Sequence, residues 1–304
     1  MRKSALTAIS TLLKQNDKVI FIGSDLGPET LVDAKKLFPN RVFMEGISEQ
    51  HLIGFAAGLA LDGFIPFVHT IGTFLTRRAL EQIIVDVAIQ NLPVKLIASG
   101  GGMVYAPLGP THQSIDDFAL MRSIPNMTIS APCDPLEMTQ IIMQIAESPG
   151  PNYVRVAKGG EAIITNNLPN IYLGEPREIS PGNKTALLTT GVLVHECLEA
   201  VEILKNQNSI PSIYHFPFIA PLNIESIINI INKHKNLIVV EEHLPVGGLF
   251  SSIADIIVKN NLNVKVHQLC LPNSYAVNYG TQKEHWRKAG LDSKSIAKYV
   301  VSIK

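Results

Sequence analysis

The sequence predicts an α/β protein built from two open, mostly parallel-sheet domains. Three observations carry that expectation. Short β-branched runs alternate with longer amphipathic or small-residue stretches, the pattern of parallel strands joined by crossover helices. Between Ala157 and Asn183 the alternation lapses into Gly, Pro and Asn, and then it resumes. The length, 304 residues, is too great for one compact core and comfortable for two. The expected domains are residues 1–165 and 184–304, joined by a linker at 166–183.

In the first domain the strand candidates are Lys18–Ile22, Val42–Met44, Ile65–Val68, Val94–Ala98, Met127–Ser130 and Tyr153–Val156. Glu49–Leu61, Phe74–Gln90 and Pro135–Glu147 read as the helices between them. The last of these opens on Asp134-Pro135, a capping residue followed by proline at the first helical position. In the second domain Thr185–Thr190, Ile210–His215, Leu237–Glu241 and Val264–Leu269 read as strands. Val192–Asn206, Ile224–His234 and Gly248–Lys259 read as helices.

The 26 Lys and Arg balance 26 Asp and Glu, so no cationic excess is available to neutralise nucleic-acid phosphates. Hydrophobic residues at 46% argue against disorder. Charged residues at 17% fall below the roughly 25% usual for soluble domains, which suggests surfaces covered by other subunits. The longest apolar stretch, Leu52 to Ala60, is stopped by Asp62 and Gly63, short of the roughly 18 residues that a membrane span needs. Met1-Arg2-Lys3-Ser4 is followed by polar positions rather than a signal-peptide block. Cys133, Cys197 and Cys270 have no paired spacing and read as reduced structural thiols of a cytoplasmic protein.

Ligands of open parallel sheets gather at the carboxyl ends of the strands. Three polar loops are expected there: Gly23 to Pro28, Glu45 to His51, and Gly100-Gly101-Gly102 running on to Gly109-Pro110-Thr111-His112-Gln113. Glu49 stands at the start of a helix of small and apolar residues, where its carboxylate either caps the helix or works in a buried site. His112 is either a polar loop residue or a ligand group. The triple glycine lacks the spacing of a dinucleotide fingerprint. Glu241-Glu242-His243 reads as a solvated strand end.

Taken together, Ser24-Asp25-Leu26, Gly46-Ile47-Ser48-Glu49-Gln50, Thr73-Phe74-Leu75 and Gly109-Pro110-Thr111-His112-Gln113 resemble the transketolase family in order and spacing. Arg122 to Met127, Tyr153-Val154-Arg155, and Glu241-Glu242-His243 followed by Gly247-Gly248-Leu249 extend the likeness over essentially the whole chain. The resemblance implies a thiamine diphosphate pyrimidine-binding domain followed by a transketolase C-terminal domain. It implies that Glu49 hydrogen-bonds the pyrimidine nitrogen N1′ and favours the imino tautomer, whose nitrogen takes the thiazolium C2 proton. Phe74 would stack on the pyrimidine, and Asp25 would lie near the thiazolium and the subunit boundary. His112 would hydrogen-bond substrate oxygens, and Arg2 and Arg155 would bind a sugar phosphate. His69, Arg77 and Arg78 flank this site without an assigned role.

The family holds the cofactor's diphosphate through a divalent metal on a Gly-Asp-Gly motif followed by an asparagine. Gly-Asp-Gly does not occur in this sequence. The resemblance therefore implies the C-terminal subunit of a split transketolase, transferring a two-carbon ketol unit between sugar phosphates. Its partner would be an N-terminal subunit that carries Gly-Asp-Gly and binds Mg2+ or Ca2+, in an α2β2 heterotetramer; no metal ligand is expected in this chain. Two alternatives stay open. One is a β-type subunit of another thiamine diphosphate enzyme, a 2-oxoacid dehydrogenase E1 or a deoxyxylulose-phosphate-synthase-like enzyme, the latter favoured by Arg77 after Phe74-Leu75-Thr76. The other is a non-catalytic scaffold of the same fold. Leu108 replaces an acidic residue of the family and Gly100 a histidine, so the standard pentose phosphate donors are not implied.

Overall fold

A computed structural model describes residues 1–205 and 210–303. The chain forms two units, Met1–Gly101 with Leu120–Asn166, and Gly102–Ala119 with Asn167–Lys304.

In the first unit, strands β1 (Val19–Gly23), β2 (Val42–Met44), β3 (Ile65–Ile71), β4 (Lys95–Ser99), β5 (Thr128–Ser130) and β6 (Asn152–Val156) lie in the order β5-β6-β4-β3-β1-β2. All their pairings with one another are parallel. Every residue of β1, β4 and β6 is buried. That is why these strands read as continuous apolar runs: helices cover a parallel sheet on both faces. The helix Glu49–Leu61 has the bounds its composition predicts and buries Leu52, Ile53, Ala56, Ala57 and Ala60.

Two departures occur here. A helix Arg2–Gln15, hidden in the sequence behind its polar first turn, buries Ala5, Leu6, Ile9, Leu12 and Leu13 at helical spacing. The expected helix Phe74–Gln90 is instead two π-helical segments, Phe74–Arg78 and Ile83–Ala88, around one α turn at Leu80–Gln82. Such widened turns are frequent at functional sites.

Buried polar groups lock this unit. Asp134 caps the helix Pro135–Ala146 by accepting the Glu137 N–H at 2.8 Å. Its second oxygen accepts the N–H groups of Ile164 and Thr165, both at 2.9 Å. Lys95 donates to the carbonyls of Ser148 at 2.7 Å and Gly150 at 2.9 Å, and burial lowers its pKa to about 7. His69, on β3, is fully buried with Nε2 2.8 Å from Ser99 Oγ on β4. Burial first, and then the Arg2 charge, lower its pKa to about 4, so its imidazole is neutral at pH 7.

In the second unit, strands β7 (Arg177–Ser180), β8 (Thr185–Thr189), β9 (Ser212–His215), β11 (Asn236–Val240) and β12 (Lys265–Leu269) form a sheet in the order β12-β11-β8-β9-β7. A short strand, β10 (Phe218–Ala220), lies between β9 and β11 in sequence. The β8, β9, β11 and β12 pairings are parallel, whereas β7 runs antiparallel on β9. Arg177–Ser180 lies in the segment expected to be plain linker; an edge strand among Pro and Gly leaves little periodic signal. Helices cover Leu193–Leu204, Ile224–Lys233 and Leu249–Lys259. Asn206, the expected end of the first of these, lies outside the described residues. Two further helices, Gln282–Ala289 and Ser293–Ser302, were not anticipated; the first opens on a capping box of Thr281 and Glu284.

Glu241-Glu242-His243 is a correction: all three are buried, not solvated. Glu241 accepts the N–H groups of Leu249 at 2.7 Å and Phe250 at 3.2 Å, at the start of the helix Leu249–Lys259. Glu242 accepts the Met103 N–H at 2.8 Å, the Trp286 indole N–H at 2.7 Å and the Gln282 amide at 2.9 Å. His243 stacks on Phe118 with ring centroids 5.4 Å apart. Converging donors offset the cost of burying these groups. Burial also pushes the Cys197 thiol up to about 12 and that of Cys270 to about 11, which keeps both in the thiol form at neutral pH. Among the described residues no helix is long and apolar enough to cross a membrane.

Two outcomes are expected. Asp134→Ala removes a helix cap and strands two loop N–H groups, costing roughly 2–3 kcal/mol in urea denaturation. For His69 the folded pKa lies below the unfolded value, so its contribution is present above pH 6.5 and is lost as pH falls toward about 4. Relative to His69→Gln, the wild-type chain should lose on the order of 3 kcal/mol across that window, measured by denaturation at stepped pH.

Candidate active site

The helix Glu49–Leu61 follows β2 and packs on β3 and β1, and its first residue reaches Thr70 near the carboxyl end of β3. Gly46, at φ +76°, supplies the left-handed turn after β2. Ser48, at the N-cap position, makes no side-chain capping bond, and its hydroxyl donates to the Glu45 carbonyl at 3.3 Å. Glu49, the first helical residue, turns inward and is only 1% exposed. Thr70 Oγ1 donates to Glu49 Oε1 at 3.1 Å, and Arg78 Nη1 donates to Glu49 Oε2 at 2.5 Å. Alternation along β3 sends Thr70 to this carboxylate and His69 to the opposite face. The π-helical turn Phe74–Arg78 places the Arg78 guanidinium 4.4 Å from the centroid of the Phe74 ring. Glu49, Thr70, Phe74 and Arg78 thus form one cluster: a buried carboxylate, a hydroxyl, an aromatic face and a planar cation.

The other expected residues have settings of their own. In the same unit, Asp25 is exposed and accepts the Ser24 hydroxyl at 3.1 Å. Arg2 is half-buried on the N-terminal helix. Arg155, on β6, is buried against Gly101, where a Cβ would lie 2.1 Å from the arginine Cγ. Gly100 has φ +85° and donates to the Val156 carbonyl at 2.9 Å, a backbone that strains any side chain at this position.

His112 belongs to the second unit and ends the short turn Pro110–His112. Its Nδ1 lies 2.9 Å from Thr111 Oγ1. Gly102 and Ser114 exchange backbone hydrogen bonds of 2.8 and 2.9 Å and close residues 102–114 into a loop. Gly102, at φ +63°, has no room for a side chain, since a Cβ would meet Glu242 Cδ at 2.2 Å. Glu242 therefore holds the foot of the His112 loop. Leu108, on this loop, is 54% exposed.

Thr70 and Glu242 shape the site without standing out in the sequence. Strand alternation beside His69 offered a signal for Thr70, while the donors to Glu242 come from remote segments. Arg78 is visible in the sequence as a charge flanking the site, whereas its pairing with Glu49 arises only from the fold.

The cluster around Glu49 fits an aminopyrimidine. It offers a buried carboxylate acceptor beside an aromatic face, and Arg78 already presents a flat N–H donor to both.

Comparisons with known proteins agree with this architecture. The model of the transketolase pyrimidine-binding domain matches residues 1–160, and that of the transketolase C-terminal domain matches residues 174–296. A 1-deoxy-D-xylulose-5-phosphate synthase of Dehalococcoides mccartyi is 37% identical over 96% of this chain and 45% of its own. The chain thus spans less than half the length of that relative. A putative transketolase C-terminal section of Methanocaldococcus jannaschii is 35% identical over 99% of this chain and 95% of its own. Among solved structures, a split-gene transketolase described as an inactive beta4 tetramer superposes with a TM-score of 0.88 at 27% identity, covering 99% of this chain and 96% of that one. A transketolase of Campylobacter jejuni shares the fold, with a TM-score of 0.82 at 17% identity, covering 99% of this chain and 46% of that one. Matched along both units, the chain belongs to the transketolase family and carries its pyrimidine-binding domain followed by its C-terminal domain.

Proposed function

We propose that this chain is the C-terminal subunit of a split, thiamine diphosphate-dependent transketolase, transferring a two-carbon ketol unit from a ketose phosphate to an aldose phosphate. Residues 1–165 would be the pyrimidine-binding domain and 184–304 the C-terminal domain. The observation that carries the reading is the buried Glu49 carboxylate beside the face of Phe74. When bound, thiamine diphosphate supplies the carbon nucleophile for the transfer.

This chain's own residues do the following. Glu49 holds a proton at the pyrimidine N1′, with Thr70 fixing one carboxylate oxygen. Burial keeps water from competing for that proton. Phe74 offers its face to the pyrimidine ring, and Asp25 lies toward the thiazolium. Thr111 orients the His112 ring through Nδ1, so that Nε2 meets a substrate oxygen. Arg2 and Arg155 bind the phosphate of the sugar. The diphosphate and its Mg2+ or Ca2+ belong to an N-terminal partner subunit carrying Gly-Asp-Gly and a downstream asparagine. The assembly we propose is an α2β2 heterotetramer in the cytoplasm. The split-gene relative and the near-equal length of the Methanocaldococcus section support a C-terminal half made as a separate chain.

A second reading has a specific observation behind it. Several synthases of deoxyxylulose phosphate are 36–37% identical, against 35% for the Methanocaldococcus section, and Arg77 after Phe74-Leu75-Thr76 resembles that group. Leu108 and Gly100, in place of polar family residues, also suit a less hydroxylated substrate.

Mixing this chain with a candidate N-terminal subunit, thiamine diphosphate and Mg2+ tests both readings. Ketol transfer to an aldose phosphate is expected, whereas release of CO2 from pyruvate with glyceraldehyde phosphate as acceptor would establish the second reading instead. This chain alone should be inactive; activity without the partner would sink the split-subunit proposal. Glu49→Gln should lower turnover at least about 100-fold, with the assembly unchanged by size-exclusion chromatography. A scaffold would not respond to it.

A further inference from the structure

Within the chain itself, Arg78 makes both contacts that the proposed function assigns to the aminopyrimidine. Its guanidinium donates to Glu49 Oε2 at 2.5 Å and lies over the Phe74 ring, 4.4 Å from the centroid. A guanidinium is flat and carries its N–H donors in the plane, so it can stack and hydrogen-bond at once, as an aminopyrimidine does. The carboxylate could accept more than one donor, but the ring face that carries the guanidinium cannot stack a second flat group at the same time.

The arrangement is built into the chain. Phe74 and Arg78 open and close a single π-helical turn, which aligns the ring and the guanidinium. Glu49 is 1% exposed while the Arg78 side chain is 42% exposed. The carboxylate cannot leave, but the arginine can. Without Arg78 or a replacement donor, a buried charge would keep only the Thr70 hydroxyl, which is costly. The long arginine stem lets the head swing into solvent as a new donor arrives.

We propose that Arg78 keeps the pyrimidine seat filled in the free chain and is displaced outward when thiamine diphosphate enters. The inference rests on the proposed function. Cofactor binding is then an exchange: as the Arg78–Glu49 pair breaks, one proton is taken up from solvent and shared between Glu49 and N1′, so the buried carboxylate is never left uncompensated. A seat filled by its own arginine lowers the apparent affinity by the fraction of chains in which the seat is open.

Two measurements test it. In the free full-length chain, Arg78→Met, Glu49→Gln and the double variant form a thermal-stability cycle. Coupling between the two sites is expected, and strict additivity would overturn the proposal. In the complex with the N-terminal subunit and Mg2+, calorimetric titration with thiamine diphosphate should show Arg78→Met binding about tenfold more tightly than wild type. Arg78→Lys, which keeps the charge but cannot stack flat, should fall between. Equal or weaker binding by Arg78→Met, with wild-type binding intact, overturns the exchange alone. No binding by any form overturns the thiamine reading itself and the exchange with it.

Discussion

A carboxylate that cannot reach water governs the first unit. Glu49 starts its helix yet points inward, and the strand and the turn that follow it supply its partners. The strand β3 delivers Thr70 to one oxygen, and the π-helical turn after β3 delivers Arg78 to the other. A regular α-helix from Phe74 onward would have met the same sequence with a different side-chain phase. The widened turn is therefore part of how the carboxylate is held. The fully buried strands behind it form the rigid platform against which such a charge can be fixed.

Much of this was legible in the sequence where local pattern and burial agree. The strands of the first unit appear as β-branched runs because both faces are covered. The helix Glu49–Leu61 appears because small and apolar residues continue without a breaker until Asp62-Gly63. What stayed hidden depended on partners far along the chain. Glu242 looked solvated because two acidic residues and a histidine in a row usually are. Its donors, Met103, Gln282 and Trp286, lie 139, 40 and 44 residues away. Likewise, Arg78 was visible as a charge four residues after Phe74, but only the fold puts it on Glu49. The edge strand Arg177–Ser180 was lost among Pro and Gly, and the first helix behind Arg2-Lys3-Ser4.

The division into units also cuts across chain order. Residues 102–119 belong to the second unit although the first unit flanks them on both sides. Glu49 and His112 are thus carried by different units. Each is fixed by its own polar anchor, Thr70 and Arg78 for the one, and the loop closed at Gly102 and Ser114 for the other. The glycines at 100 and 102 carry the chain through this crossing in backbone conformations that side chains rarely adopt.

Trp286 is the single tryptophan in the sequence, and its indole N–H is bound to the buried Glu242 carboxylate. The second unit therefore carries the chain's one indole, while the first contributes only the tyrosine emission of Tyr153. Excitation at the red edge of the absorption band reads the second unit by itself. An indole held against an anion in an apolar setting also has its emission tuned by that charge. Wavelength and intensity then act as an optical gauge of whether the foot of the His112 loop is intact, with no label attached.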